Sequence, residues 1–213
     1  MKTYQTKILS LFDEQTLPFA AEVLKSGELV AFPTDTVYGL GCSPFLSESL
    51  HRIYEVKQRP EEKAIPVLLG SPDQLCQVVS SLPDRARGLM EAFWPGPLTL
   101  VLPHQPELPL ELSPYPGIAV RMPNHDLALA LLRQTGPLAV TSANISAHQN
   151  SLSAQDVYEQ LNTRIPFILD DGSKPGGTAS TVINCMEEQP LLLREGPISY
   201  QEILEKWNSN EQA

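Results

Sequence analysis

Proline divides this chain into many short segments. The 213 residues include 20 prolines, and most of these stand at the edges of apolar runs. Because proline fixes φ and removes a backbone donor, it ends helices and is excluded from the interior of central strands. The pattern therefore predicts a fold of many short helices and strands rather than a few long ones.

Helical and strand-like patterns alternate between these breaks. Apolar residues at i, i+3 and i+4 predict helices, and short apolar runs bounded by turn residues predict strands. The predicted helices are 16–27, 47–57, 71–79, 83–93, 126–134, 153–162 and a last segment from 200 onward. The predicted strands lie within 29–32, 64–70, 94–103, 117–122, 137–144, 166–170, 180–184 and 190–195. The alternation predicts an α/β fold with a twisted, mixed sheet flanked by helices.

Length and composition limit the class of protein. We expect one domain over residues 1–208 and a disordered tail at 209–213. Cys42, Cys76 and Cys185 form no CxxC pair, which disfavours a disulfide framework and a structural zinc site. No segment has membrane-spanning length and no signal peptide pattern opens the chain, so a soluble cytoplasmic protein without membrane contact is expected. The net charge of −10 disfavours binding of nucleic acid through the overall electrostatic field of the protein.

Four polar clusters follow apolar runs, at 34–36, 57–59, 141–144 and 180–181. Loop residues at strand ends often form the sites of α/β proteins. Taken singly, an ordinary turn or cap explains the first and third of these clusters at least as well.

The cations lend themselves to two interpretations. Lys57 and Arg59 lie at a predicted helix end, where they either interact with the helix dipole or form an anion clamp. Arg121 and Arg194 end apolar strands, so each pairs with an acidic side chain or with the carboxylate or phosphate of a ligand.

Several common motifs are missing from the sequence. It contains no GxxxxGK[ST], GxGxxG, GxSxG or HExxH, and its four histidines show no ligand spacing. The segment 170–177 is a candidate lid in which Asp170 or Asp171 assists a metal, although a plain glycine-rich connection explains it more simply.

Seven stretches occur in order between about residues 16 and 198. They are FPTDTVYGLGC, KQRPEEKAIPVLL, FWPGPLTLVLP, AVRMPNH, VTSANISA, DGSKPGGTASTVIN and LLREGPI. Together they resemble the YrdC family of threonylcarbamoyl-AMP synthases. This resemblance implies a single catalytic domain with an open sheet and a large concave groove. One departure is the segment KAIPVLL, which has Pro66 and Val67 and lacks a histidine found in some members.

The resemblance also implies a reaction. L-Threonine, bicarbonate or CO2, and ATP with Mg2+ give threonylcarbamoyl-AMP and pyrophosphate, which makes the enzyme a nucleotidyltransferase. A separate transferase and its partner proteins then modify the adenosine next to the anticodon in tRNA, so contact of this chain with tRNA is expected to be indirect or weak.

Site residues follow from the resemblance position by position. The KxR motif falls on Lys57 and Arg59, which are expected to be catalytic and to bind the ATP phosphates. Further ATP-binding residues are expected at Thr99, Ser142, Asn144 and Arg194, and L-threonine-binding residues at Thr34, Arg121 and Ser180. No metal ligand is expected from the protein.

Two alternatives remain at this point. One is a carbamoyl-AMP-forming enzyme, like the related domain of hydrogenase-maturation carbamoyltransferases. The other is an RNA-binding module without catalysis, although the net charge of −10 counts against strong autonomous binding.

Overall fold

The computed structural model describes residues 2–10, 13–173 and 175–209. Within these ranges the strands are β1 (Lys7–Ser10), β2 (Val30–Phe32), β3 (Gly39–Cys42), β4 (Val67–Leu68), β5 (Leu98–Pro103), β6 (Gly117–Arg121), β7 (Leu138–Ser142), β8 (Phe167–Asp170), β9 (Thr181–Asn184) and β10 (Leu191–Arg194). The helices are α1 (Thr16–Lys25), α2 (Ser47–Lys57), α3 (Asp84–Phe93), α4 (Asp126–Thr135), α5 (Ala154–Leu161) and α6 (Tyr200–Ser209). A short 3-10 helix spans Pro72–Gln77.

The strands join into one 10-stranded sheet in the order β1-β8-β2-β3-β7-β4-β6-β5-β9-β10. The sheet is mixed: β8 pairs in parallel with β1 and β2, whereas β3 is antiparallel to both β2 and β7. This confirms the predicted α/β class with a mixed sheet and flanking helices. Among the described residues, no helix is both long and apolar enough to cross a membrane.

Successive side chains of each strand enter two separate apolar layers. In and before β2, Leu29 and Ala31 join the layer that contains α2, α3, α5 and α6, while Val30 and Phe32 join the layer formed with α1 and α4. This alternation is the period of two that a strand buried on both faces requires. The sheet is therefore packed between two groups of helices.

The α1–α4 pair covers only part of its face of the sheet. Its apolar layer takes side chains from β8, β2, β7 and β4, and we call this part the covered half. On β6, β5 and β9 the same face carries Ala119, Thr99 and Val182, which line a cavity instead, and we call this part the open half. Leu68 and Val140 belong to both the apolar layer and the cavity wall, so they mark the border.

Two strands were not predicted from the sequence. β1 has a mostly exposed pattern and lies at one sheet edge, so it lacks the apolar run by which buried strands are detected. β3 has the sequence GLGC, in which glycines suggest a turn. A Cβ on Gly39 would lie 2.6 Å from Val140 Cγ1, and one on Gly41 would lie 2.8 Å from Phe32 Cε1. Close packing within the sheet therefore requires glycine at both positions.

Other predictions need smaller corrections. The helix predicted at 71–79 is a 3-10 helix, and the strand predicted within 64–70 is only the two residues of β4. Thr16 does not cap α1; it is the first helical residue and its hydroxyl donates to Ser10 O. The predicted tail begins at Ser209, which is still the last residue of α6, and 210–213 lie outside the described residues.

Candidate active site

A cavity of about 410 Å³ lies on the open half of the sheet. Its walls come from strand ends and loops that are far apart in sequence. The lining residues are Thr34, Thr36, Val37, Gly39, Arg59, Ala64, Pro66, Leu68, Thr99, Ala119, Arg121, Val140, Thr141, Ser142, Asn150, Ala179, Ser180, Val182 and Arg194. The cavity thus brings together residues from all four polar clusters of the sequence.

The turn after β2 is closed by the hydroxyl of Thr34. This buried hydroxyl donates to Val37 O at 2.7 Å and accepts from the N–H groups of Thr36 and Val37 at 3.2 and 3.3 Å. It also lies 3.1 Å from Thr36 Oγ1. Thr34 therefore lines the cavity and at the same time fixes the turn that presents the following residues.

Arg121, at the end of β6, is 6% exposed and held by all three of its side-chain nitrogens. Nε donates to Gly96 O at 2.9 Å, Nη1 donates to Thr36 Oγ1 at 2.9 Å, and Nη2 donates to Asp35 Oδ1. Burial lowers the pKa of Arg121, while the Asp35 carboxylate opposes that shift and so favours the charged form. Since a guanidinium has five N–H groups, donors remain for a ligand in the cavity.

Arg194 and two hydroxyls form a second polar group on the open half. Arg194 Nε donates to Ser180 O at 2.9 Å and Nη2 donates to Ser180 Oγ at 3.0 Å. Ser180 Oγ lies 2.7 Å from Thr99 Oγ1, so the β5 hydroxyl is tied to this group. The charge of Arg194 also lowers the pKa of Arg121, because a nearby like charge disfavours the charged form.

Arg59 lines the cavity from the loop after α2. Its Nη2 donates to Ala64 O at 2.9 Å and its Nε to Lys63 O at 3.4 Å. Burial lowers its pKa, but a guanidinium stays charged at neutral pH. The lining therefore contains three guanidiniums and, among the described residues, no acidic side chain.

Lys57, two residues before Arg59, is not among the residues that line the cavity. It is 1% exposed, and its Nζ donates to Ser142 O and Asn144 O rather than to the last carbonyls of its own helix. Burial, and to a smaller extent the charge of Arg59, lowers the pKa of Lys57 to about 7. The inward direction predicted from its helical spacing is confirmed, while its contact with phosphate stays a prediction.

The loop after β7 is organised around Lys57. Ser142 lines the cavity, while Asn144 is buried and donates from Nδ2 to Ile145 O and His148 O, both at 2.8 Å. Asn144 Oδ1 is buried and has no hydrogen-bond partner among the described residues. Asn144 therefore shapes the loop, and a direct contact with nucleotide stays a prediction.

Sequence reasoning missed the neighbours of the 34–36 turn. Gly176 and Gly177 donate backbone N–H groups to Asp35 O and Thr36 O, at 3.0 and 2.8 Å, so the glycine-rich segment lies against this turn. Nearby, His125 Nε2 lies 3.0 Å from Ser173 Oγ and 3.5 Å from Asp171 Oδ2. No group of three or more His, Cys, Asp or Glu side chains in the described parts of the chain could hold a metal ion.

The family model that matches this chain covers residues 22–196. It is the Sua5/YciO/YrdC model, described as "Telomere recombination". The chain is 41% identical over 201 residues to a threonylcarbamoyl-AMP synthase of Bacillus subtilis, covering 93% of this chain and 58% of that protein. It is 35% identical over 166 residues to a threonylcarbamoyl-AMP synthase of Klebsiella pneumoniae, covering 76% of this chain and 86% of that protein.

A solved structure shares the same fold. The Sua5 protein of P. abyssi, complexed with L-threonine, superposes with a TM-score of 0.89 at 38% identity and covers 94% of this chain and 60% of that one. The chain thus spans about three fifths of the length of some relatives and most of the length of others. With the family model matched over residues 22–196 and the fold shared, the chain belongs to the Sua5/YciO/YrdC family.

Proposed function

We propose that this protein is a threonylcarbamoyl-AMP synthase. It forms L-threonylcarbamoyladenylate and pyrophosphate from L-threonine, bicarbonate or CO2, and MgATP. The observation that carries the proposal is the cavity itself, in which three guanidiniums and several hydroxyls meet on one uncovered sheet face of a chain with net charge −10. Relatives with the synthase name, and a relative bound to L-threonine, support the same reaction.

The polar groups divide between the two substrates. Arg121 offers a fixed planar donor set for the threonine carboxylate, and Thr34 and Ser180 line the same cavity. Arg59 and Arg194 provide charge for the ATP phosphates, with Lys57 beside Arg59. Thr99, Ser142 and Asn144 complete the nucleotide side, and the magnesium enters with ATP because phosphate oxygens and water satisfy it.

Chemistry in such a cavity depends on placing two anions together. The neutral threonine amine adds to CO2 and loses a proton to water, which gives an N-carboxylate. One oxygen of this carboxylate then attacks the α-phosphorus of ATP while the bond to pyrophosphate breaks. The cations offset the repulsion between the two anions, and the fixed turns hold them in line. No protein nucleophile is needed, so the enzyme would act as a nucleotidyltransferase by positioning and charge alone.

The product is a reactive mixed anhydride that a second enzyme must consume. We propose that a threonylcarbamoyl transferase with its partner proteins receives it in the cytoplasm and modifies the adenosine next to the anticodon in tRNA. The acidic net charge supports a role in which tRNA contacts the transferase rather than this chain.

Mass spectrometry of the reaction product tests the proposal. The purified protein is incubated with MgATP and bicarbonate together with one of several amino acids, or with carbamoyl phosphate in place of both bicarbonate and amino acid. We expect threonylcarbamoyl-AMP and equimolar pyrophosphate with L-threonine. Carbamoyl-AMP formed only from carbamoyl phosphate would instead assign the chain to the carbamoyl-transferring alternative, and no adduct under any condition would contradict both.

A further inference from the structure

The three guanidiniums of the cavity differ in what holds them. Arg59 donates to two backbone carbonyls, and Arg194 donates to the carbonyl and hydroxyl of Ser180. Among the described residues, Arg121 is the one member of the three that is paired with a carboxylate, that of Asp35. Arg59 and Arg194 therefore keep an unneutralised positive charge, whereas the charge at Arg121 is locally cancelled.

The backbone of the turn that carries Asp35 is fixed on two sides. The Thr34 hydroxyl closes the turn on one side by accepting from the Thr36 and Val37 N–H groups. On the other side the Gly176 N–H donates to Asp35 O at 3.0 Å. The Asp35 side chain is 17% exposed, contacts Arg121 Nη2 and is not among the residues that line the cavity. Its position allows it to act through Arg121 rather than on a ligand directly.

We propose that Asp35 is a positioning and selectivity residue that reserves Arg121 for a single carboxylate and keeps phosphate groups at Arg59 and Arg194. This inference rests on the proposed function, which requires a carboxylate and a polyphosphate to bind in one cavity without exchanging places. Asp35 contributes in two ways to keeping the carboxylate and the phosphates at separate positions. It orients the Arg121 fork through Nη2, and it cancels the charge that would attract a polyanion.

The physical reason lies in how the two ligands respond to local net charge. A free amino acid carries one carboxylate and one ammonium, so it binds through directed hydrogen bonds and loses little when the site is neutral overall. Pyrophosphate and the ATP phosphates carry several negative charges, and each is repelled by a carboxylate a few ångströms away. Arg121 paired with Asp35 therefore selects a single carboxylate over a polyphosphate, whereas an unpaired Arg121 next to Arg194 would bind either kind of anion.

Asp35→Asn tests the proposal, because the amide oxygen can still accept from Arg121 while the charge is removed. Asp84→Asn is the charge-matched control, since the Asp84 side chain is 99% exposed on α3. Isothermal titration measures L-threonine affinity with and without pyrophosphate, and pyrophosphate affinity alone. In the native protein and the control we expect pyrophosphate to leave threonine affinity nearly unchanged. In Asp35→Asn we expect pyrophosphate to weaken threonine binding about tenfold and to bind with a second equivalent.

The outcomes separate this inference from the proposed function. One outcome is that the native protein binds L-threonine and that pyrophosphate weakens this binding no more in Asp35→Asn than in the native protein. That outcome would overturn the role of Asp35 and leave the proposed function intact. If the native protein failed to bind L-threonine, the proposed function would fail, while the second pyrophosphate equivalent would still decide the role of Asp35. Asp35→Ser serves as a second neutral variant, with circular dichroism as the folding check. Loss of folding in both variants would assign Asp35 to stability and overturn the proposal.

Discussion

The covered and open halves of one sheet face are built from similar short strands but carry different side chains. The covered half presents Val30, Phe32 and Leu169 to the apolar layer under α1 and α4. The open half presents Thr99 and Arg121 at positions that alternate with core residues. Since polar groups under an apolar helix would lose water without compensation, these residues suit only the part of the sheet that no described helix covers. On this one sheet face, the covered half therefore contributes mainly to stability and the open half mainly to ligand binding.

Arg59→Ala should give the largest difference between the two properties, with a strong loss of turnover and little change in stability. Within the described parts of the chain Arg59 donates to two loop carbonyls and no other group, so its loss should change stability by about 1 kcal/mol or less. Loss of its charge from the phosphate side should lower turnover by roughly 10²-fold or more. Threonine- and bicarbonate-dependent release of pyrophosphate measures the turnover, and thermal unfolding measures the stability.

Leu131→Ala is the matched variant in the covered half. Leu131 is fully buried in the layer between α1, α4 and the sheet, so truncation should cost about 2–5 kcal/mol of unfolding free energy. Turnover per folded molecule should stay near the native value. Equal losses of turnover in the two variants would break the distinction between the halves.

Lys57 should make both stability and MgATP binding depend on pH, with changes smaller than those expected for the two substitutions above. Burial places its folded-state pKa at about 7, below the ordinary value of 10.5. The unfolded chain therefore binds the proton more tightly, so stability should rise as pH increases from about 7 to 10.5. A bound polyphosphate nearby favours the ammonium, so MgATP binding at pH 8 should take up a proton.

Calorimetry in buffers of different ionisation enthalpy measures this proton uptake, with Lys57→Met as the comparison. The variant should bind MgATP with little or no uptake at pH 8. MgATP affinity of the native protein should fall by at most about tenfold per pH unit above 7. Identical proton uptake by both proteins would show that the Lys57 charge is not linked to nucleotide binding.

Much of the fold could be predicted because its periodic segments are strongly apolar. The predicted helix 47–57 has the bounds of α2, and the five other helices and seven of the strands differ from their predictions mainly at their ends. The strands β1 and β3 could not be predicted, because an exposed edge strand and a glycine-rich strand lack an apolar signal. Their place in the sheet is decided by neighbours distant in sequence, such as β8 and β7.

The site was predictable in its residue types but not in its pairings. Thr34, Arg59, Arg121, Ser142, Ser180 and Arg194 were singled out, and the cavity brings them together. The pairing of Arg121 with Asp35 joins residues 86 positions apart, and no local pattern encodes such a contact. The burial of Lys57 against two carbonyls likewise depends on the loop after β7.

Hydrogen–deuterium exchange with and without MgATP and L-threonine tests the central claim, that both substrates bind on the open half of the sheet. We expect the ligands to slow exchange at 34–39, 57–64, 119–122, 141–150 and 178–182, the segments that form the cavity. Exchange in α1 and in α4 should be unchanged, because these helices belong to the covered half. Protection confined to α1 and α4, or absent from the cavity segments at saturating ligand, would contradict the account.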